Sequence, residues 1–190
     1  MNPDMQDWER NYGVQYLESI GLKPGHAVID FGAQKGHYSI PAAKIVGKSG
    51  MIYAIDTNEK ALKMIRNKAR IHMLKNIQLE KTSGKVNLEF GKDTIDFVFL
   101  YDVLHFLNLK QREKFWSEIR RVLKPEGVVS IFPKHLIDDE PSGEFSNFTL
   151  EELMEEIENF EFILIEQRAD IVAHDNQLVE GRIINYMNNF

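Results

Sequence analysis

The stretch "IDFVFLY", residues 95–101, is almost wholly apolar. A strand of that kind is stable only where both its faces are covered, as in the middle of a parallel sheet. Comparable short runs recur at "AVIDF" (27–31), "MIYAID" (51–56), "IQLEK" (77–81) and "VVSIFP" (128–133), and segments of helix length separate most of them. Over 59–74, Ala61, Ile65, Ala69 and Met73 recur at a spacing of four; over 109–123, Phe115, Trp116, Ile119 and Val122 mark a buried stripe. Lys124-Pro125-Glu126-Gly127 reads as a turn into the 128–133 strand, since proline presets φ and glycine permits the reversal. Strands that alternate with helices through right-handed crossovers wind in both directions from the centre of a sheet.

The pattern changes near the C-terminus. Thr149 is placed to cap a helix over 150–159, with Glu152 at the third helical position as in a capping box. The runs "FEFILIEQRA" (160–169) and "QLVEGRIINYM" (177–187) follow, with too few residues between them for a crossover helix. They are expected to pair as an antiparallel hairpin. The expected fold is therefore α/β: a doubly wound, mostly parallel seven-stranded sheet with a C-terminal antiparallel hairpin and helices on both faces. At 190 residues and 43% hydrophobic, the chain suits a single domain over 1–190. Within it, 1–24 reads as a helical segment, 25–133 as a ligand-binding core, and 134–190 as a substrate-side helix with the hairpin.

Composition narrows the function classes. With no cysteine, disulfides, thiolate metal sites and a cysteine nucleophile are excluded. The N-terminus lacks the basic start and apolar run of a signal peptide, and no stretch approaches the roughly 20 apolar residues of a membrane span. A soluble, cytoplasmic protein is expected. The net charge of −6 argues against a nucleic-acid partner, and the basic run "KALKMIRNKARIHMLK" (60–75) reads as a solvated helix face.

The stretch "AVIDFGAQKGHYSIPAA" (27–43) carries a strand through a glycine-bearing turn into a helix expected to begin near Gly36. Gly32 and Gly36 permit a sharp turn and a close backbone approach to a ligand. The free N–H groups at the helix start favour an anionic group there. Asp56, 24 residues beyond Gly32 at the end of the next strand, is placed to accept hydrogen bonds from two ribose hydroxyls. Asp30 would repel a pyrophosphate but suits an ammonium, and the loop departs from the dinucleotide spacing G-x-G-x-x-G. S-adenosylmethionine offers an ammonium, a carboxylate and a ribose together.

From "YLESIGLKPGHAVIDFG" to "RRVLKPEGVVSIFPK", with "VIDFGAQKG", "IYAIDTN", "IDFVFLYDVLHFL" and "LKPEGVVSI" in order, the chain resembles the class I S-adenosylmethionine-dependent methyltransferases of the small-molecule type. That resemblance implies methyl transfer by in-line displacement, with Asp30 and Gly32 at the methionine amino group and Gly36 close to the cofactor. It also implies Asp56 on the ribose, Thr57 beside the adenine, Ser83 or Asn87 at the adenine amino group, and Tyr101 and Asp102 flanking the methionine and sulfonium. The family's loop usually reads D-x-G-x-G-x-G, so Gln34 stands where a glycine is usual. Gln34 is expected to hold an ordinary negative φ, its amide turned to the methionine carboxylate or to solvent.

The acceptor, expected to be a small molecule, is not specified by these residues. His105 and His135 are the candidate catalytic bases, and Lys134 a candidate for an acidic acceptor. Trp8 and Tyr12, in the N-terminal segment, are candidate substrate contacts in a lid. No metal is expected, although Asp102, His105 and His135 would be the ligands if one sheet edge gathered them. Two other readings stand beside methyl transfer: a non-catalytic relative that binds a nucleoside or a partner protein, and a dinucleotide oxidoreductase, which Asp30, the loop spacing and the hairpin disfavour.

Overall fold

The computed structural model describes residues 3–189. Seven strands lie in the order β3-β2-β1-β4-β5-β7-β6: β1 Ala27–Phe31, β2 Met51–Asp56, β3 Ile77–Lys81, β4 Ile95–Tyr101, β5 Leu123–Phe132, β6 Phe162–His174 and β7 Gln177–Asn188. Pairs β1–β2, β2–β3 and β4–β5 are parallel, and β7 runs antiparallel to β5. The doubly wound, mostly parallel sheet with a C-terminal hairpin is therefore the architecture found. No helix among the described residues is long and apolar enough to cross a membrane.

By backbone contacts the chain divides into two compact units. The first comprises the described residues up to 84 together with 170–181. It holds helices α1 Pro3–Asp7, α2 Gly13–Ser19, α3 Ser39–Val46 and α4 Glu59–Ile71, with a π-helical turn, Trp8–Tyr12, between α1 and α2. Ala33, Ile40, Ala54, Leu62, Ile65 and Ala69 form its α3/α4 core. Two expectations need correcting here. Helix α3 starts at Ser39 rather than Gly36, because Gly36 has φ 75 and cannot be a helical residue. Helix α4 ends at Ile71, so Met73, at φ 55, is 85% exposed instead of continuing the buried stripe. The hairpin tip also belongs to this unit. Asp175 and Asn176 form its two-residue loop with φ 46 and 72, the left-handed pair that matches the twist of flanking strands.

The second unit comprises residues 85–169 together with the described residues from 182 onward. Helix α5, Leu109–Val122, buries Phe115, Trp116, Ile119 and Val122, each worth about 1.5–3 kcal/mol of transfer from water. Helix α6, Leu150–Glu158, opens with the expected Thr149/Glu152 capping box. A buried ion pair joins the two helices: Arg112 donates to both oxygens of Glu156, which also accepts from the Trp116 indole, and its guanidinium lies 5.0 Å from the Phe145 and Phe148 ring centres. Strand β5 does not pair continuously. Its ladder with β4 passes from Leu123 to Val128, so the expected turn Lys124–Gly127 bulges out, with Glu126 at φ 62.

Candidate functional site

In the first unit the chemistry gathers at the ends of β1 and β2. Gly32 and Ala33 donate their N–H groups to the Ile55 carbonyl, which draws the loop after β1 across the end of β2. Asp56, buried there, accepts from the Gln34 N–H on Oδ2 and from the Asn58 N–H on Oδ1, each at 2.7 Å. Each oxygen keeps a second acceptor direction, so the carboxylate is fixed and still able to take ligand hydroxyls. Thr57 and Ser83 are both exposed, and the space beside Gly84 lies within 4.0 Å of the Thr57 methyl.

Gln34 departs from expectation. Its φ is 44, a left-handed conformation, and that backbone turn delivers its N–H to Asp56. An L side chain there costs about 1–2 kcal/mol. Gln34→Gly is therefore expected to raise stability by about 1 kcal/mol, with the midpoint of thermal unfolding up by roughly 2–4 °C. A lowered midpoint would show that the glutamine side chain makes a compensating contact. Gly36, at φ 75, has a second reason to be glycine. A Cβ on it would meet Ile65 Cγ1 of α4 at 2.9 Å, so its bare face is turned to the core.

Asp30 is 3% exposed and accepts a hydrogen bond from the Ser39 hydroxyl at the start of α3. A carboxylate of the chain itself thus sits at this helix start. Burial, together with the charge of Asp56, pushes Asp30 up to about 6 despite the bonds from Ser39. An acid held in that state gains from a neighbouring cation.

A buried network under this loop was not anticipated. Glu9, on the π-helical turn, meets His37 Nδ1 at 3.1 Å and the Lys68 ammonium, and Lys68 also donates to the Lys35 carbonyl at 2.8 Å. Burial pushes Glu9 up, but the bonds from His37 and Lys68 outweigh it and leave the carboxyl below its usual range. Burial holds His37 below the usual imidazole range, against the pull of Glu9. Trp8 belongs to the same layer. Its indole is 1% exposed, packs on Tyr16 and Tyr38, and donates to the His37 carbonyl at 2.8 Å. Trp8 is thus a core side chain rather than a lid contact, whereas Tyr12 is 56% exposed.

In the second unit the ends of β4 and β5 carry the other candidates. The Tyr101 hydroxyl meets Ser130 Oγ at 2.7 Å on the neighbouring strand, which directs it into the core. Asp102 follows with φ 55, its N–H donated to the Phe132 carbonyl. Its Oδ1 lies 3.4 Å from His105 Nδ1 and 3.5 Å from His135 Nε2, and the two imidazole centres are 4.3 Å apart. Lys134 is paired with Asp139 at 2.6 Å. Asn87, the alternative to Ser83, is an exposed residue of this unit.

Comparison with known proteins adds to this geometry. A family model described as "Methyltransferase domain" matches residues 28–127. The ubiquinone/menaquinone biosynthesis C-methyltransferase UbiE of Escherichia fergusonii is 26% identical over 160 residues, which cover 84% of this chain and 58% of that protein. The chain thus spans little over half the length of the curated relatives it matches. Among solved structures, a SAM-dependent methyltransferase from Aquifex aeolicus is similar at a TM-score of 0.74 and 25% identity, covering 95% of this chain and 92% of that one. The [4+2]-cyclase SpnF is similar in fold at a TM-score of 0.71 and 13% identity, over 95% of this chain and 80% of its own. A fold shared with a cyclase does not by itself specify the reaction.

Proposed function

Because this chain belongs to the methyltransferase-domain family, we propose that it transfers a methyl group from S-adenosylmethionine to a small molecule in the cytoplasm. Bound S-adenosylmethionine supplies an activated methyl on a sulfonium, so the chain's own task is to bind, orient and exclude water. The observation that carries the reading is Asp56: a buried carboxylate at the end of β2, held by the Gln34 and Asn58 N–H groups with acceptor capacity to spare for ribose hydroxyls. Asp30 supports it as a buried acid whose ionised form a ligand ammonium would favour. Gly32 and Gln34 shape the loop, Gly36 seats it on α4, and Thr57 and Ser83 lie on the adenine side.

On the acceptor side the reading assigns His105 and His135, with Asp102 between them, the task of making the acceptor proton easier to remove. Lys134 and Tyr12 are the remaining candidates for acceptor contacts. The name of the UbiE relatives, C-methyltransferases of ubiquinone/menaquinone biosynthesis, supports a small-molecule acceptor. The net charge of −6 supports it over a nucleic acid.

Calorimetric titration with S-adenosylmethionine tests the reading. Asp56→Ala is expected to weaken binding at least about tenfold, since charge-assisted hydrogen bonds are worth roughly 1.5–3 kcal/mol each. Its thermal midpoint is expected to fall as well, because two loop N–H groups lose their acceptor. Affinity equal to the parent's would remove Asp56 from the site. Binding of the nucleoside with no methyl transfer to any small-molecule acceptor would favour a non-catalytic relative.

A further inference from the structure

The separations around Asp102 do not suit direct hydrogen bonds. At 3.4 Å to His105 Nδ1 and 3.5 Å to His135 Nε2 they exceed the roughly 2.7–3.2 Å of an N–H···O bond. They match instead the edge of a tetrahedron, about 3.3–3.4 Å, around an ion roughly 2.0–2.1 Å from nitrogen and oxygen ligands. The three ligating atoms lie within 4.8 Å of one another, near enough for side-chain rotations to bring all of them onto one ion.

The orientation of His135 points the same way. Its Nδ1 lies 2.9 Å from the Glu140 carbonyl oxygen, which can only accept, so Nδ1 carries the hydrogen. In the neutral ring Nε2 then presents its lone pair toward Asp102 Oδ1. Two electron-rich atoms facing each other are stabilised by a positive charge between them. A ring N–H given to a backbone carbonyl, with the other nitrogen turned inward, is how metal-binding histidines are usually held. The backbone adds an independent sign. Asp102 and His135 are both left-handed, with φ 55 and 67, a strain that persists where surrounding structure enforces it and that clusters at functional sites.

We propose that Asp102, His105 and His135 form a binding site for a divalent transition cation. Two imidazoles and one carboxylate suit zinc, and this three-ligand set is the kind that keeps a fourth position open. The Asp102 and His135 side chains are 11% and 21% exposed, so water or an acceptor can reach that position. A role for the cation in methyl transfer rests on the function proposed above, whereas the cation site itself does not. In that role the cation takes over the task given to the imidazoles: an acceptor hydroxyl coordinated to it loses its proton to water more readily.

The full chain, stripped with a chelator, is titrated with Co2+ and followed by visible absorption, and with Zn2+ in competition with a chromophoric chelator. One equivalent is expected to bind, with the intense bands of four- or five-coordinate cobalt. Asp102→Asn and His135→Asn keep residues that accept a left-handed backbone. Each is expected to lower affinity by more than about 100-fold, since even the outer partners of a metal ligand are worth 10–100-fold. Circular dichroism reports whether each variant is folded, and His105→Gln gives a third, independent removal of a ligand. Absence of stoichiometric binding in the parent overturns the site, as does binding equally tight in the folded variants, which would place the ion at other histidines. Failure of S-adenosylmethionine to bind would overturn the proposed function and leave the cation site standing.

Discussion

Lys68→Met is expected to lower the stability of this protein by about 3–5 kcal/mol, the cost of leaving one member of a buried ion pair without its charged partner. For a chain of this length that corresponds to a midpoint of thermal unfolding lower by roughly 6–20 °C. Glu9 and Lys68 are 2% and 7% exposed, so the carboxylate left behind has no route to water without moving the π-helical turn. Glu9→Gln/Lys68→Met is expected to recover most of the loss, since the uncompensated charge goes with the second change. The pH dependence has a definite sign. Glu9 titrates below its ordinary value in the folded protein, so its stabilisation is present above the unfolded value of 4.5 and is lost as pH falls through the folded one. Lys68→Met removes that acid-side loss. Denaturant unfolding of parent, single and double variants at neutral pH and near pH 4 checks all three statements. A double variant no more stable than Lys68→Met would show that lost packing, rather than stranded charge, sets the cost.

Asp30→Asn is expected to move stability and ligand affinity in opposite directions. The folded carboxyl titrates at about 6 against 3.8 for the ordinary value, so the ionised form is disfavoured in the folded chain. The resulting penalty is absent below pH 3.8, grows as pH rises, and is complete above about 6. That difference corresponds to about 3 kcal/mol at most. An asparagine oxygen still accepts from Ser39, but its amide brings a buried donor, so a net gain of about 1–2 kcal/mol is expected at pH 7.5 and none near pH 4. Affinity for S-adenosylmethionine is expected to fall about 10–100-fold, and far less for a nucleoside that lacks the ammonium. In the parent, affinity for S-adenosylmethionine should also weaken as pH falls below 6, where Asp30 takes a proton. Equal losses for both ligands would make Asp30 a helix-start support for Ser39 and nothing more.

Local patterns carried most of the architecture. The apolar runs became β1, β2 and β4 with the expected bounds, because a strand covered on both faces leaves a continuous signature that needs no knowledge of its neighbours; β3, a half-buried edge strand, keeps its expected bounds as well. Thr149 and Glu152 form the expected capping box, an interaction complete within four residues. The hairpin was legible from the short connection between its strands, and Asp175 and Asn176 supply the left-handed pair its tip requires. Asp30, Gly32 and Asp56 were legible as the ends of β1 and β2 for the same reason: they sit at fixed offsets from strands that announce themselves.

Tertiary structure decided what depended on residues far apart in the chain. Helix α3 begins only after Gly36 has turned the chain at φ 75, and its first residue, Ser39, gives its hydroxyl to the Asp30 carboxylate nine positions earlier. Gln34 takes a positive φ because Asp56, 22 positions later, accepts its N–H, and one charge-assisted hydrogen bond can offset the local preference for negative φ. Glu9, His37 and Lys68 look like surface residues in sequence, each polar and none in a motif. Only the packing of the π-helical turn against α4 buries them together, and burial is what turns three ordinary side chains into a costly, mutually dependent network. Asp102, His105 and His135 were recognisable one by one. Their spacing around a single oxygen came from two parallel strands ending side by side, a distance that sequence separation does not encode.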